Sequence, residues 1–171
     1  MMGTTHAAFA LLCYYIIAYF VGLPFDTPMV LTLLVVGSLL PDIDHPKGFL
    51  ARQFYLFKRT SRGIRKFVTH RGIFHSLLAA LIATAVVWLV SMFYNLEMLA
   101  VACFLLGFIS HLTLDSLNPT GIKWLQPFSK AKVKDGIRTG SFLEKVFFSV
   151  TVVAILMLLY SEYFPEIASS F

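Results

Sequence analysis

Charged residues are scarce in this chain. Its 171 residues are 58% hydrophobic and only 13% charged, whereas a soluble domain has about 25% charged and about 45–50% apolar residues. This scarcity excludes an ordinary water-soluble domain, because so much apolar surface must face something other than water. The length suits one domain, and we expect residues 1–171 to form it, with no nucleic-acid partner.

Cysteines and amino-terminal cations are also lacking. The two cysteines, Cys13 and Cys103, both lie inside apolar runs, which argues against a disulfide framework and for small buried side chains. No Lys or Arg precedes the first apolar run, and no clear small-residue cleavage site follows it. The run therefore predicts a retained helix rather than a cleavable signal.

Long apolar segments make up most of what is present. A transmembrane helix needs about 20 residues; the third and fourth segments reach this length, whereas the second and fifth are short. The segments are Ala7–Leu23, Pro28–Leu40, Ile73–Tyr94, Met98–Leu117 and Val146–Tyr160. They predict an all-α, polytopic transmembrane helical bundle with about five membrane segments.

The basic residues predict the orientation of this bundle. Of the 14 Lys and Arg residues, 13 fall in two loops, 45–72 and 118–141, and the remaining one is Lys145. Loops rich in Lys and Arg stay in the cytoplasm, so we expect an integral protein of a bacterial or archaeal cytoplasmic membrane, with its N-terminus in and its C-terminus out. The first loop also interleaves its cations with Phe, Leu and Ile, which is typical of an interfacial amphipathic segment; a solvated loop that only sets the topology is the alternative.

All histidines and most aspartates fall at the predicted cytoplasmic ends of the helices. These residues are His6, Asp42, Asp44, His45, His70, His75, His111 and Asp115. His111 and Asp115 are four residues apart, so they share one helix face, and ionisable residues within a membrane segment indicate function by default. Each residue alone also has an ordinary interpretation, such as a turn residue or a His–Asp hydrogen bond without metal. Together, imidazole and carboxylate are the ligand mixture of Zn, Mn or Fe.

The motifs that carry these residues resemble a known family. PDIDHP, HRGIFHS and HLTLDSLNPTG occur in this order among apolar segments and resemble the YdjM-type family of inner-membrane, metal-dependent hydrolases over roughly Thr5 to Pro127. The family is more distantly similar to zinc-dependent phospholipase C and P1-type nucleases, which implies phosphoester cleavage. The resemblance implies these metal ligands: His6, Asp42, His45, His70, His75, His111 and Asp115.

The sequence thus predicts a membrane-bound, metal-dependent hydrolase with one to three ions, most simply Zn, with Mn or Fe as alternatives. Its expected substrate is an anionic or phosphorylated lipid at the cytoplasmic face, and the expected reaction is that of a phosphoesterase or phospholipase. Asp44 is the candidate general base or a carboxylate that orients a histidine, and Arg71 could clamp a phosphate. The rival hypothesis is a non-enzymatic metal-binding membrane protein, acting as a structural clip, a sensor, a store or a transporter.

Overall fold

The described part of the chain is helical and falls into five helices. The computed structural model describes residues 1–44 and 73–165. Within them the helices are α1 (Gly3–Val21), α2 (Pro28–Leu39), α3 (Leu77–Tyr94), α4 (Met98–Ser116) and α5 (Phe142–Tyr163). Two 3₁₀ turns, Leu40–Asp44 and Ile73–His75, follow α2 and precede α3. The predicted all-α class is confirmed, and the interfacial segment predicted for the first basic loop lies outside the described residues.

Four of the described helices, α1, α3, α4 and α5, are long and apolar enough to cross a membrane. The exception is α2, whose 12 residues extend about 18 Å at 1.5 Å per residue, less than a hydrocarbon core of about 30 Å. Pro41 has no N–H group and cannot continue α-helical bonding, so the chain proceeds as a 3₁₀ turn to Asp44. The second predicted segment is therefore a short helix beside four long ones.

The first and last helices begin earlier than the apolar runs suggest. Helix α1 begins at Gly3, so His6 lies inside its first turns rather than before the helix. Helix α5 begins at Phe142, because the Ser141 hydroxyl accepts the Glu144 N–H at 3.3 Å and caps the helix. These earlier starts bring His6 and Glu144 into regular helix near the same end of the bundle.

One end of the bundle gathers the starts of three helices and the ends of two. Near the start of α1, His6 lies against Asp115 in the last turn of α4, and His75 just before α3 contacts Asp42 just after α2. From that end, α5 runs away over about 33 Å, given its 22 residues and a rise of 1.5 Å per residue. This arrangement places the start of α1 and the end of α5 at opposite ends of the bundle, and the orientation in the membrane stays a prediction.

Helices α2 and α4 approach each other closely, and two glycines allow it. A Cβ atom on Gly37 would lie 2.2 Å from the Phe104 carbonyl oxygen, and one on Gly107 would lie 2.1 Å from the Leu34 carbonyl oxygen. Both distances are far shorter than a van der Waals contact, so only glycine fits at either position. Small residues permit this backbone approach between membrane helices, where packing rather than water exclusion drives association.

Replacing Gly107 with alanine should therefore push α2 and α4 apart. The obstructing atom belongs to the Leu34 backbone and cannot rotate away, and overpacking of this kind costs about 1–3 kcal/mol. We expect Gly107→Ala to lower the midpoint of thermal unfolding, followed by circular dichroism in detergent. Gly136→Ala is the matched control, because no atom lies within 4 Å of a Cβ at that position. Equal midpoints for both variants would contradict the close packing.

Candidate metal centre

Five of the seven predicted metal ligands come together at the end of the bundle described above. The side chains of His6, His75 and His111 are fully buried, and that of Asp115 is 2% exposed. The fifth, Asp42, is 16% exposed and gives this cluster its most accessible edge. The candidate centre consists of His6, Asp42, His75, His111 and Asp115. Its members come from α1, α4 and the two 3₁₀ turns, so it joins parts of the chain that are far apart in sequence.

The two carboxylates lie between the three imidazoles. His75 Nε2 is 3.6 Å from Asp42 Oδ1 and 3.7 Å from Asp115 Oδ2. His111 Nε2 is 3.9 Å from each of the same two oxygens. On the other side, His6 Nε2 is 3.5 Å from Asp115 Oδ1, and its ring stacks on that of His111 with centroids 3.8 Å apart. Each imidazole thus presents a nitrogen to at least one carboxylate, at 3.5–3.9 Å.

The main chain of α2 fixes the orientation of His111. Its Nδ1 lies 2.7 Å from the carbonyl oxygen of Ser38, which can only accept, so Nδ1 carries the proton and donates. The neutral ring then leaves Nε2 as the lone-pair nitrogen, directed at Asp42 and Asp115. A backbone carbonyl behind the imidazole is the usual support for a metal-binding histidine. The glycine contact between α2 and α4 brings Ser38 close enough to provide it.

Unsatisfied buried nitrogens test whether a metal ion suits this cluster. Among the described residues, Nε2 of His111 and both ring nitrogens of His6 are buried without a hydrogen-bond partner, which is costly unless something else binds them. Two ligands of a tetrahedral zinc, each at about 2.0–2.1 Å, lie about 3.4 Å apart, close to the observed separations of 3.5–3.9 Å. Two groups of three, sharing His111, have their ligand atoms within 4.8 Å of one another. The residues therefore fit one or two divalent ions.

The electrostatics of Asp42 agree with a ligand role. Burial by itself raises the pKa of its carboxyl, but the close approach of the His75 imidazole holds this pKa well below its usual range. Asp42 therefore stays ionised at neutral pH, as a metal-binding carboxylate must be. Buried anions are stable only when they are paired or bound to metal.

A second buried carboxylate network lies beside the centre, and the sequence interpretation missed it. Glu144 is fully buried, and its two oxygens accept the backbone N–H groups of Met2 at 2.6 Å and Gly140 at 2.5 Å. The neighbouring amino group of Met1 donates to Asp115 Oδ1 at 3.0 Å. Glu144 thereby ties the start of α5 to the start of α1, four residues before His6.

A sequence signal for Glu144 exists. Ser141 and Glu144 form an S-x-x-E pattern before an apolar run, which is typical of a capping box, and a glutamate in such a box turns back toward the main chain. For Ser38 we find no such signal, because its contribution is a carbonyl group that every residue has.

Four predicted site residues are not placed by the structure. His45, His70 and Arg71 lie outside the described residues. Asp44 ends the first 3₁₀ turn, and its side chain also lies outside what is described. Their predicted roles as ligands, phosphate clamp and general base stay predictions.

Fold and site together define an all-α membrane protein with a buried imidazole–carboxylate cluster at one end of its bundle. The chain belongs to the YdjM inner membrane protein family, whose sequence profile matches residues 1–168. The family resemblance seen in the motifs is thus confirmed.

Two relatives show how far the similarity extends. Inner membrane protein YdjM of Escherichia coli (strain K12) is 38% identical over 94 residues, which are 54% of this chain and 46% of that protein. The chain thus aligns with about half the length of that relative. Uncharacterized protein YvsG of Bacillus subtilis (strain 168) is 31% identical over 147 residues, which are 85% of this chain and 86% of that protein. No solved structure matches the chain, so the similarity to phospholipase C and P1-type nucleases stays a prediction.

If the cluster holds metal, removing two central imidazoles should abolish binding. We expect purified protein to retain zinc or manganese, measured by inductively coupled plasma mass spectrometry, and the double variant His75→Ala/His111→Ala to lose it. Loss of a supporting group typically costs 10–100-fold in affinity, and loss of two ligands should exceed that. Thr113→Ala is the matched control, because Thr113 lies on α4 between His111 and Asp115 and is exposed. Unchanged metal content in the double variant would disprove this centre.

Proposed function

We propose that this chain is a membrane-bound, metal-dependent hydrolase that cleaves a phosphoester in a lipid headgroup at the cytoplasmic face. His6, Asp42, His75, His111 and Asp115 would hold the metal, with His45 and His70 as further ligands. The observation that carries the proposal is the buried cluster itself, in which three imidazoles converge on two carboxylates at 3.5–3.9 Å. Histidine and carboxylate ligands of this kind are typical of catalytic zinc sites.

The chain's own residues would prepare the site for this chemistry. The Ser38 carbonyl sets the His111 tautomer, and Asp115, itself within reach of His6 and His75, orders the rings on both sides of it. When bound, the metal would supply an acidified water and a positive charge that polarises a phosphoryl oxygen. Asp44 would act as general base or orient a histidine, and Arg71 would hold the phosphate through two parallel hydrogen bonds.

The location of the cluster favours a lipid substrate. It lies where several membrane helices begin or end, so a headgroup could reach it without leaving the bilayer surface. The most exposed member is Asp42, which marks the side from which a substrate would enter. Basic loop residues would concentrate anionic lipid nearby, at about 1 kcal/mol per cation close to the surface.

A structural metal clip is the second candidate function, and the burial of the cluster favours it. Four of the five members are almost wholly buried, and a metal enclosed by side chains would tie helix ends together without leaving a position for water or substrate. An open coordination position distinguishes an enzyme from a clip.

Transport is less well supported by the polar residues inside the helices. In α3 and α4, the three hydroxyl groups at depth each donate to a carbonyl of their own helix, at 2.6–2.8 Å, and so offer no relay between these two helices. They are Thr84, Ser91 and Ser110. A transport path would need ionisable or polar groups continuing through the bilayer.

Two aspartate variants should distinguish catalysis from metal binding. Asp44→Asn should keep the metal but slow release of a phosphorylated or dephosphorylated product from a panel of glycerophospholipids and isoprenoid phosphates, because a general acid–base group contributes about 10²–10⁴-fold. Asp115→Asn should reduce metal content and turnover together, because it removes a ligand. Fully metallated wild-type protein that yields no product from any lipid, with every metal position filled by side chains, would establish the structural clip instead.

A further inference from the structure

The connection between α4 and α5 is a folded unit, because hydrogen bonds hold it in one conformation. Ile122 and Val133 exchange two backbone hydrogen bonds of 3.0 Å, and the Ile137 N–H donates to the Leu117 carbonyl at 2.9 Å. Side chains add to this, because Asn118 donates to the Thr139 hydroxyl at 2.9 Å. The positions of its surface residues are therefore fixed by the fold.

The two most exposed apolar side chains of this folded unit lie close together in its sequence. In residues 123–130, which we call the tip, Phe128 is 85% exposed and Leu125 is 56% exposed. Backbone bonds hold the tip in shape, since the Gln126 N–H donates to the Lys123 carbonyl at 3.2 Å and the Ser129 N–H to the Leu125 carbonyl at 2.9 Å. Displaying two such side chains to water is unfavourable, at about 25 cal/mol per Å² of apolar surface, so an apolar environment would stabilise the tip.

A hydrogen bond to α3 indicates how deep the tip lies. The Leu77 N–H donates to the Trp124 carbonyl at 2.8 Å, and Leu77 is the first residue of a helix that is long and apolar enough to cross the membrane. Trp124 therefore lies level with the start of α3, where a membrane-spanning helix would leave the hydrocarbon core. Its indole N–H donates to the Ser116 hydroxyl at 2.8 Å, and tryptophan is enriched at this interfacial level.

The charges around the tip indicate which kind of surface it would bind. Lys123 and Lys130 are the first and last residues of the tip, and Lys134 and Arg138 follow in the same unit. Within residues 1–44 and 73–165, the salt bridges all involve Asp42 or Asp115, so these four cations have no carboxylate partner there. Apolar side chains with unpaired cations beside them match the boundary of an anionic bilayer, with the chains among the acyl groups and the cations at the headgroups.

We propose that the tip is an interfacial anchor, in which Leu125 and Phe128 insert into an anionic leaflet while Lys123 and Lys130 bind its headgroups. Through the Leu77–Trp124 bond the anchor attaches two residues after His75, so it fixes the depth of the candidate metal centre relative to the lipid headgroups. The anchor does not depend on the presence of metal or on hydrolysis.

Spin labels in lipid nanodiscs test the proposal. In a Cys13→Ala/Cys103→Ala background, Phe128→Cys and Gly136→Cys would each carry one nitroxide, in discs of phosphatidylcholine with phosphatidylglycerol. The label at 128 should collide severalfold more with oxygen, which concentrates in lipid, than with a water-soluble nickel chelate. The label at 136, exposed in the same loop, should show the reverse ratio.

Removing the cations tests the charge requirement. In discs of phosphatidylcholine alone, or with Lys123→Gln/Lys130→Gln in mixed discs, the oxygen preference at position 128 should fall toward that at 136. A water-like ratio at 128 in mixed discs would overturn the proposal. So would dipolar coupling between labels at 128, because it would show that a second copy of the chain covers the tip.

Discussion

The backbones of α2 and α4 touch at Gly37 and Gly107, and this contact sets the geometry of the candidate metal centre. Because no side chain separates the two helices there, the carbonyl of Ser38 reaches His111 at 2.7 Å and fixes which nitrogen of the ring is free to bind. The same approach lets the turn after α2 carry Asp42 to the end of α4, beside Asp115. Membrane helices cannot rely on the hydrophobic effect to associate, so this packing has to supply the precision that the site needs.

Precise packing matters because the cluster gathers charged groups in a buried place, where an unpaired charge is energetically unfavourable. The side chains of Asp115 and Asp42 are 2% and 16% exposed and lie among three buried imidazoles. Burying two such charges would be strongly unfavourable without compensating interactions. The imidazole nitrogens face the carboxylates at distances too long for ordinary hydrogen bonds and suitable for a shared ion. Glu144, by contrast, is fully satisfied by two main-chain donors and needs no metal. Asp115 instead receives the Met1 amino group on one oxygen and faces His75 and His111 with the other.

Much of the fold and part of the candidate site could be predicted from the sequence, because helices in a membrane must be apolar and must form all their backbone hydrogen bonds internally. The lengths of the apolar runs gave the helices, and placing the ionisable residues at their ends indicated the cluster that contains His111 and Asp115. The short α2 was harder, since its length depends on where Pro41 interrupts the bonding. The role of Ser38 could not be predicted from the sequence, because a contact made by a backbone carbonyl depends on how two helices pack. Glu144 had a capping signal, but its bond to Met2 crosses 142 positions and no local pattern encodes it.

The most direct test of the central claim is X-ray absorption at the metal edge of the purified protein in lipid. A centre built from these residues predicts a first shell of nitrogen and oxygen only, at about 2.0–2.2 Å for zinc, with the multiple-scattering pattern of imidazole. Sulfur in the first shell would place the metal at Cys13 or Cys103 instead. A shell without imidazole scattering, or no protein-bound metal at all, would contradict the account.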